Sequence, residues 1–356
     1  VTLQGGSNQT TLVDLPVNHP FIMQCMYLMT EYPCIPSKRL ITDQAALTNL
    51  CEFLITVHTT NNPTGTATIL DSFRAIPPLS TVTLRVVDQS GMPLSNALAT
   101  IDSGWSGDSW EGHTDTNGVF ERTIRVGGTL GCYVSKDGYY PTRGEFYGPL
   151  RKCTDHPEGV FVIVLKKILN RVPMIRRQLE GIRIPALNDS FAFDLEVGDW
   201  KEPYGKGKCA DLWMKAELRR TERQNFDVRV TISVTNALDG IQEFMAPAPE
   251  VFDVPVSELV PPQVAPATGF TNAIVLFASV RPRAPHVTSY ARDRNYIFRV
   301  RTRADGANNV VAANVGWILG DLELAVTGND VVFLRHTNLI IYYYNPDPRS
   351  RSLEPE

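Results

Sequence analysis

The sequence predicts a mostly β protein: a small antiparallel β-sandwich, then a larger β-sandwich or jelly-roll-like domain, after a short N-terminal segment with one helix. Three observations carry this. Val82, Leu84 and Val86 alternate with Thr83, Arg85 and Val87 between turn signals, as a half-buried strand does. Phe226, Val228, Val230, Ile232 and Val234 alternate with Asp227, Arg229, Thr231, Ser233 and Thr235. Turn dipeptides such as Ser90-Gly91, Asn117-Gly118 and Asp137-Gly138 punctuate the chain at short spacing.

The bulk numbers set limits. With 356 residues the chain can hold two or three domains, and 43% hydrophobic with 20% charged residues is a globular composition. A net charge of −4 gives no electrostatic ground for nucleic acid. The longest apolar runs, such as Val160 to Leu165, fall far short of the roughly 20 residues that cross a bilayer as a helix, so no membrane span is expected. The sequence starts at Val1 with no initiator Met and no signal pattern, which fits either a mature, processed terminus or numbering from the first ordered residue. Cys25, Cys34, Cys51, Cys132, Cys153 and Cys209 contain no CxxC, so a zinc site is not expected. They read either as buried thiols or as disulfides of an exported protein.

Taken in order, residues 1–78 form the N-terminal segment. Within it, Leu47, Leu50, Cys51, Leu54 and His58 recur at helical spacing behind a Thr42 or Asp43 cap, which predicts a helix over 43–58. Thr59 to Gly65 breaks it, and Ile76-Pro77-Pro78 reads as a stiff linker. Residues 79–168 are the small sandwich, with strands at Val82–Val87, around Phe120, at Gly131–Val134 and at Val160–Leu165. Residues 169–356 form the larger β-rich domain, with strands at 226–234, 296–301 and 338–344. Six prolines between Met245 and Thr268 bar a central strand there and predict a long surface excursion. Asn8-Gln9-Thr10 and Asn188-Asp189-Ser190 fit the glycosylation acceptor triplet.

The run Asp88 to Ala97, then Thr114 to Phe120, then Lys136-Asp137-Gly138-Tyr139 resembles the carboxypeptidase regulatory-like domain over residues 81–165. That resemblance implies a transthyretin-like β-sandwich, the role of an accessory module on secreted or surface proteins, and no catalytic residues. A Trp-bearing insertion, Ser103 to Trp110, departs from the family pattern. The cadence Gly198-Asp199-Trp200, Pro203 to Lys208, Phe298 to Thr302 and Tyr344 to Pro348 is similar to that of uncharacterised bacterial secreted proteins.

Chemical signatures are sparse. Gly205-Lys206-Gly207-Lys208 lacks the GxxxxGK[ST] spacing of a phosphate loop. Gly104-Trp105-Ser106-Gly107 is not a nucleophile elbow. The six histidines form no HExxH motif, and Asp102, Asp108, Glu111 and Asp115 lack the order of a calcium loop, so no catalytic residue, metal or cofactor is expected. Trp105, Trp110, Trp200 and Tyr204 remain as candidate contacts for a glycan or a protein. Each could instead fold back as core, the reading that Trp213 and Trp317 invite. The expected function is that of a non-catalytic extracellular or cell-surface structural protein whose partners are proteins, including copies of itself. The alternative is a glycan-binding or adhesion protein.

Overall fold

The computed structural model describes residues 3–5, 52–60, 68–76, 79–103, 109–125, 129–147, 159–247, 254–307, 309–336 and 339–356. It is mostly β, built from several sheets, with no helix among the described residues. The chain divides into two compact units, Val1–Lys167 with Val251–Glu258, and Ile168–Glu250 with Leu259–Glu356.

In the first unit, β1 (Leu3–Gly5) pairs parallel with β2 (Glu52–Thr60), which pairs antiparallel with β3 (Thr68–Ile76). Residues 52–58 of the predicted helix are therefore strand, and residues 43–51 lie outside the described residues. The spacing that suggested a helix is also a run of Phe53, Ile55, Thr56, Val57, Thr59 and Thr60. Those β-branched and aromatic residues favour the extended chain. Pro77 and Pro78 of the expected linker also lie outside.

Next come β4 (Leu79–Asp88), β5 (Leu98–Ser103), β6 (Ser109–His113), β7 (Val119–Arg125) and β8 (Thr129–Ser135). β9 (Tyr139–Tyr140), β10 (Thr142–Tyr147) and β11 (Val160–Lys167) complete this stretch. One sheet runs β7-β4-β11-β9, and a second includes β10-β8-β5-β6. Their inward rows meet in one core: Leu84 and Val86, Phe120 and Ile124, and Ile163 and Leu165 from the first, Ala99, Ile101, Leu130, Val134 and Phe146 from the second. The expectation of a purely antiparallel module is corrected at one place: β11 pairs parallel with β4, Ile163 opposite Val86. Val160 to Leu165 was legible as a strand, but an apolar run has the same composition whichever way its neighbour points. Cys132 is a free thiol within this core, and burial pushes its pKa up to about 12.

Two turns repeat one device. The Oδ1 of Asp88 accepts the N–H groups of Ser90 and Met92, and that of Asp115 accepts those of Asn117 and Val119. Gly91 and Gly118 then close each turn by donating to the Asp carbonyl at 3.0 Å. Both glycines have positive φ, 81° and 72°. A Cβ at Gly118 would also stand 2.4 Å from the Val86 carbonyl oxygen, whereas one at Gly91 would meet nothing.

The second unit begins with β12 (Ile175–Leu179), β13 (Ile182–Arg183), β14 (Ser190–Asp194) and β15 (Asp199–Trp200). The long hairpin β16 (Leu212–Glu222) and β17 (Asn225–Ser233) follows, then β18 (Gly240–Met245). β19 (Val256–Ser257) belongs to the first unit, where it caps the edge of β10 with Arg143 opposite Val256. The rest are β20 (Ala273–Val280), β21 (Val287–Thr288), β22 (Arg294–Ala304), β23 (Val310–Leu319), β24 (Glu323–Val326), β25 (Val332–Arg335) and β26 (Ile340–Tyr344). Their sheets run β15-β14-β16-β17-β20-β21, β12-β26-β23-β22-β18 and β13-β25-β24.

The alternation read in β17 is observed: Val228, Val230 and Ile232 are buried, while Asp227 and Arg229 are exposed. β22 and β23 are instead buried on both faces. Tyr296 and Phe298 face the main core, while Ile297, Val315 and Trp317 pack with Ala265 and Leu353 on the other side. That second layer corrects the expected surface excursion. Ala265 is fully buried, and its N–H donates to the Arg351 carbonyl while Leu353 N–H donates to that of Gln263. Pro261, Pro262 and Pro266 lack N–H donors, so the pairing uses the residues between them.

Candidate functional site

The densest polar chemistry in the second unit lies in the loop from Asp194 to Asp211. Asp194 ends β14 and is buried. Its Oδ1 accepts the N–H groups of Glu196 (3.0 Å) and Val197 (3.1 Å), and its Oδ2 those of Lys208 (2.8 Å) and Cys209 (2.9 Å). Asp199 does the same on a smaller scale, with Trp200 N–H on Oδ1 and Lys206 N–H on Oδ2. The glycines follow from this crowding: a Cβ at Gly205 would lie 2.4 Å from the Trp200 carbonyl, and one at Gly207 2.7 Å from the Asp194 Cβ. The Gly-Lys-Gly-Lys run thus gives amides to the protein's own carboxylates in the way that a phosphate loop gives them to phosphate.

Arg301 closes the arrangement from β22. The register of β22 against β23 shifts between Val300 and Arg303, and Arg301 has φ 54° at this bulge. Its Nε and Nη2 donate to the two oxygens of buried Asp211 at 2.7 and 2.9 Å, a bidentate pair. Nη2 also reaches Asp194 Oδ1 at 3.2 Å, and Nη1 reaches Glu196 Oε2 at 2.5 Å. The guanidinium carbon lies 5.4 Å from the centre of the Tyr344 ring. Burial opposes the charge on Arg301, but Asp211 and Glu196 more than reverse this, and its pKa rises.

The carboxylates respond in opposite directions. Burial dominates at Asp211 and raises its pKa despite the bidentate partner. Burial also opposes ionisation of Asp194, yet the amides of Cys209, Lys208 and Val197, with Arg301, together hold its pKa below the ordinary value. With five donors on two oxygens, Asp194 has no lone pair left for a substrate. Cys209 is a half-buried thiol beside this cluster, and burial raises its pKa, the opposite of an activated nucleophile.

Three further buried carboxylates are used alike. Asp239 accepts the N–H groups of Arg301 and Thr302. Asp321 accepts those of Ala291 and Leu322 and the hydroxyl of Tyr296. Glu354 accepts those of Leu169 and Asn170. Each clamps backbone from another part of the chain.

The residues singled out from sequence do not converge on one place. Trp105 lies outside the described residues, as does Asp108 of the acidic cluster. Trp110, on β6, is half-buried and packs against the core of the first unit. Trp200 is corrected from candidate contact to core. It is 8% exposed, stands edge-on to Phe193 at 5.3 Å, and donates its indole N–H to the Arg183 carbonyl. A run of Gly, Asp and Pro around it concealed a β14–β15 hairpin that turns the ring inward. Tyr204 is 60% exposed and rests edge-on against Phe191 at 4.7 Å, which leaves much of its ring to solvent. Trp317 is buried and stacks on Tyr343 at 4.5 Å, and Trp213 is half-buried. Among the described residues, no group of three or more His, Cys, Asp or Glu is placed to hold a metal ion, and no helix is long and apolar enough to cross a membrane.

No family model matches the sequence, and no curated protein matches it. Solved structures that show likeness at low scores include three of different kinds. One is 3-chlorocatechol 1,2-dioxygenase from Rhodococcus opacus 1CP, with TM-score 0.22 and 15% identity. The match covers 26% of this chain and spans only 60% of the dioxygenase. A candidate carbohydrate binding protein from Bacteroides uniformis ATCC 8492 gives TM-score 0.18 and 12% identity over 74% of this chain and 97% of the other. BcpA, the major pilin subunit of Bacillus cereus, gives TM-score 0.18 and 12% identity over 75% and 85%. Likenesses this weak carry no argument about function.

Proposed function

We propose that the chain is a non-catalytic structural or assembly component, extracellular or at the cell surface, that associates with copies of itself as a subunit of a fibre or surface layer. In this reading residues 81–165 are a carboxypeptidase regulatory-like module with a transthyretin-like sandwich, and residues 169–356 a larger sandwich of jelly-roll type. No cofactor is invoked.

The observation that carries the proposal is the use made of the buried carboxylates. Asp194, Asp211, Asp239, Asp321 and Glu354 each accept a backbone N–H from another stretch of the chain, those of Lys208, Leu195, Thr302, Ala291 and Leu169 in turn. Catalysis needs a base, nucleophile or electrophile whose capacity is held open for substrate. Here the buried charge is consumed in fixing the backbone, as suits a load-resisting scaffold. Sedimentation velocity over a concentration series, with electron microscopy of the same samples, tests the reading. Oligomers or ordered polymers are expected, and a protein that stays monomeric at every concentration overturns it.

One observation favours glycan binding as the second reading. Tyr204 offers an exposed ring held in a fixed pose by Phe191, and such a face stacks on a sugar. A glycan array comparing the wild type with Tyr204→Ala decides it: no wild-type binding, or binding that the substitution leaves intact, removes the reading.

A further inference from the structure

β6 is the edge of its sheet and pairs on one side only among the described residues, with β5. The N–H of Thr114 donates to the Ala97 carbonyl, so Thr114 faces β5. Since an antiparallel ladder alternates, Gly112 and Trp110 also turn their backbone groups toward β5. Those of Ser109, Glu111 and His113 then point outward, away from the sheet. These three residues are exposed, while Trp110 and Gly112 between them are half-buried. Natural edges of this kind are blunted by Pro, Lys, a bulge or a cover. β6 has neither Pro nor Lys, and its one carboxylate is Glu111.

We infer that β6 of one copy pairs antiparallel with β6 of a second copy across a two-fold axis at Gly112, each Glu111 lying opposite the other copy's His113. This rests on the assembly reading and names its contact. The register follows from which backbone groups are free and from charge. A two-fold axis at Glu111 would place the two Glu111 carboxylates face to face, which is unfavourable. Moving the axis one residue to Gly112 keeps the outward-pointing residues opposite one another and forms reciprocal Glu111–His113 pairs. Glu111 and His113 then exchange N–H and C=O bonds with the second copy, and the two Gly112 residues meet at the close, non-hydrogen-bonded position. The pairing ends where Asp115 N–H turns back to the Val119 carbonyl. The interface is isologous, so it closes on itself as a dimer. Growth of a fibre would need a second, different contact.

The test is amide hydrogen exchange of the full chain at low and high concentration, beside sedimentation velocity. The N–H groups of Glu111 and His113 should gain protection as the oligomer forms. Glu111→Pro removes an outward donor without touching the β5 ladder and should abolish the dimer while the thermal unfolding of the monomer is kept. Glu111→Lys should weaken it roughly tenfold, and the double variant Glu111→Lys with His113→Glu should restore it. A protein that assembles with no added protection at these amides, or whose dimer survives Glu111→Pro, overturns this interface and leaves the assembly reading standing. A protein that never assembles overturns both.

Discussion

Arg301 joins three carboxylates of the second unit, Asp194, Glu196 and Asp211. Removing it leaves Asp211 and Asp194 buried without their cation. Breaking such a pair from one side costs more than the pair itself contributes. Arg301→Met should therefore lower stability by about 3 kcal/mol in urea titration. By contrast, the pair in which Arg281 Nη2 donates to both Asp227 oxygens is exposed, and Arg281→Met should cost far less. Asp194 has a pH signature of known sign. Its folded pKa lies below the ordinary 3.8, so its contribution is complete above that value and is lost as the pH falls through the folded value. Asp211, with a raised pKa, runs the other way and favours the folded state more as the pH falls toward 3.8. Asp194→Asn should lower stability at neutral pH and flatten the acid limb relative to the wild type, as measured by denaturation between pH 2 and 7. None of this cluster was visible in the sequence. The Arg301 side chain donates to partners 90 to 107 positions away, and in the sequence it reads as one of three arginines, with Arg299 and Arg303, on a solvent-facing row.

At the scale of elements, more was legible. The Asp-x-x-Gly turns at Asp88 and Asp115 declare themselves, because the carboxylate and the glycine answer the same backbone requirement from two sides. They also differ in a testable way. Gly91→Ala meets only the cost of positive φ, about 1 kcal/mol. Gly118→Ala adds a collision with the Val86 carbonyl and should lower the unfolding temperature distinctly more. β17 was legible because one of its faces is buried. β22 was legible as a strand but not as a central one, since burial on both faces erases alternation. β2 was misread because its residues fit both periods, and only pairing with β3 decides.

At the scale of the whole molecule, sequence order and spatial order part company. The first unit is completed by Val251–Glu258, which the chain supplies only after most of the second unit's first half has been laid down. Such a return has no local signal beyond a proline-rich stretch. Val256→Asp, which places a charge at a buried position of β19, should speed amide exchange in β10, Thr142–Tyr147. Exchange in β22 should stay as it was, since its ladder and cores belong to the other unit. A change confined to β22 would contradict the division.

The Asp194 loop also bears on how the protein tolerates change. Its carboxylate grips the peptide N–H groups of Val197, Lys208 and Cys209, which every amino acid except proline possesses. Diversity libraries built at positions 197, 206 and 208 should therefore yield folded members with many side chains. Proline at any of these positions, or a side chain at Gly205 or Gly207, should be depleted. The loop should thus accept changes of side chain at these positions but not changes of length, because an inserted residue would carry the N–H groups of Lys206, Lys208 and Cys209 away from their carboxylates.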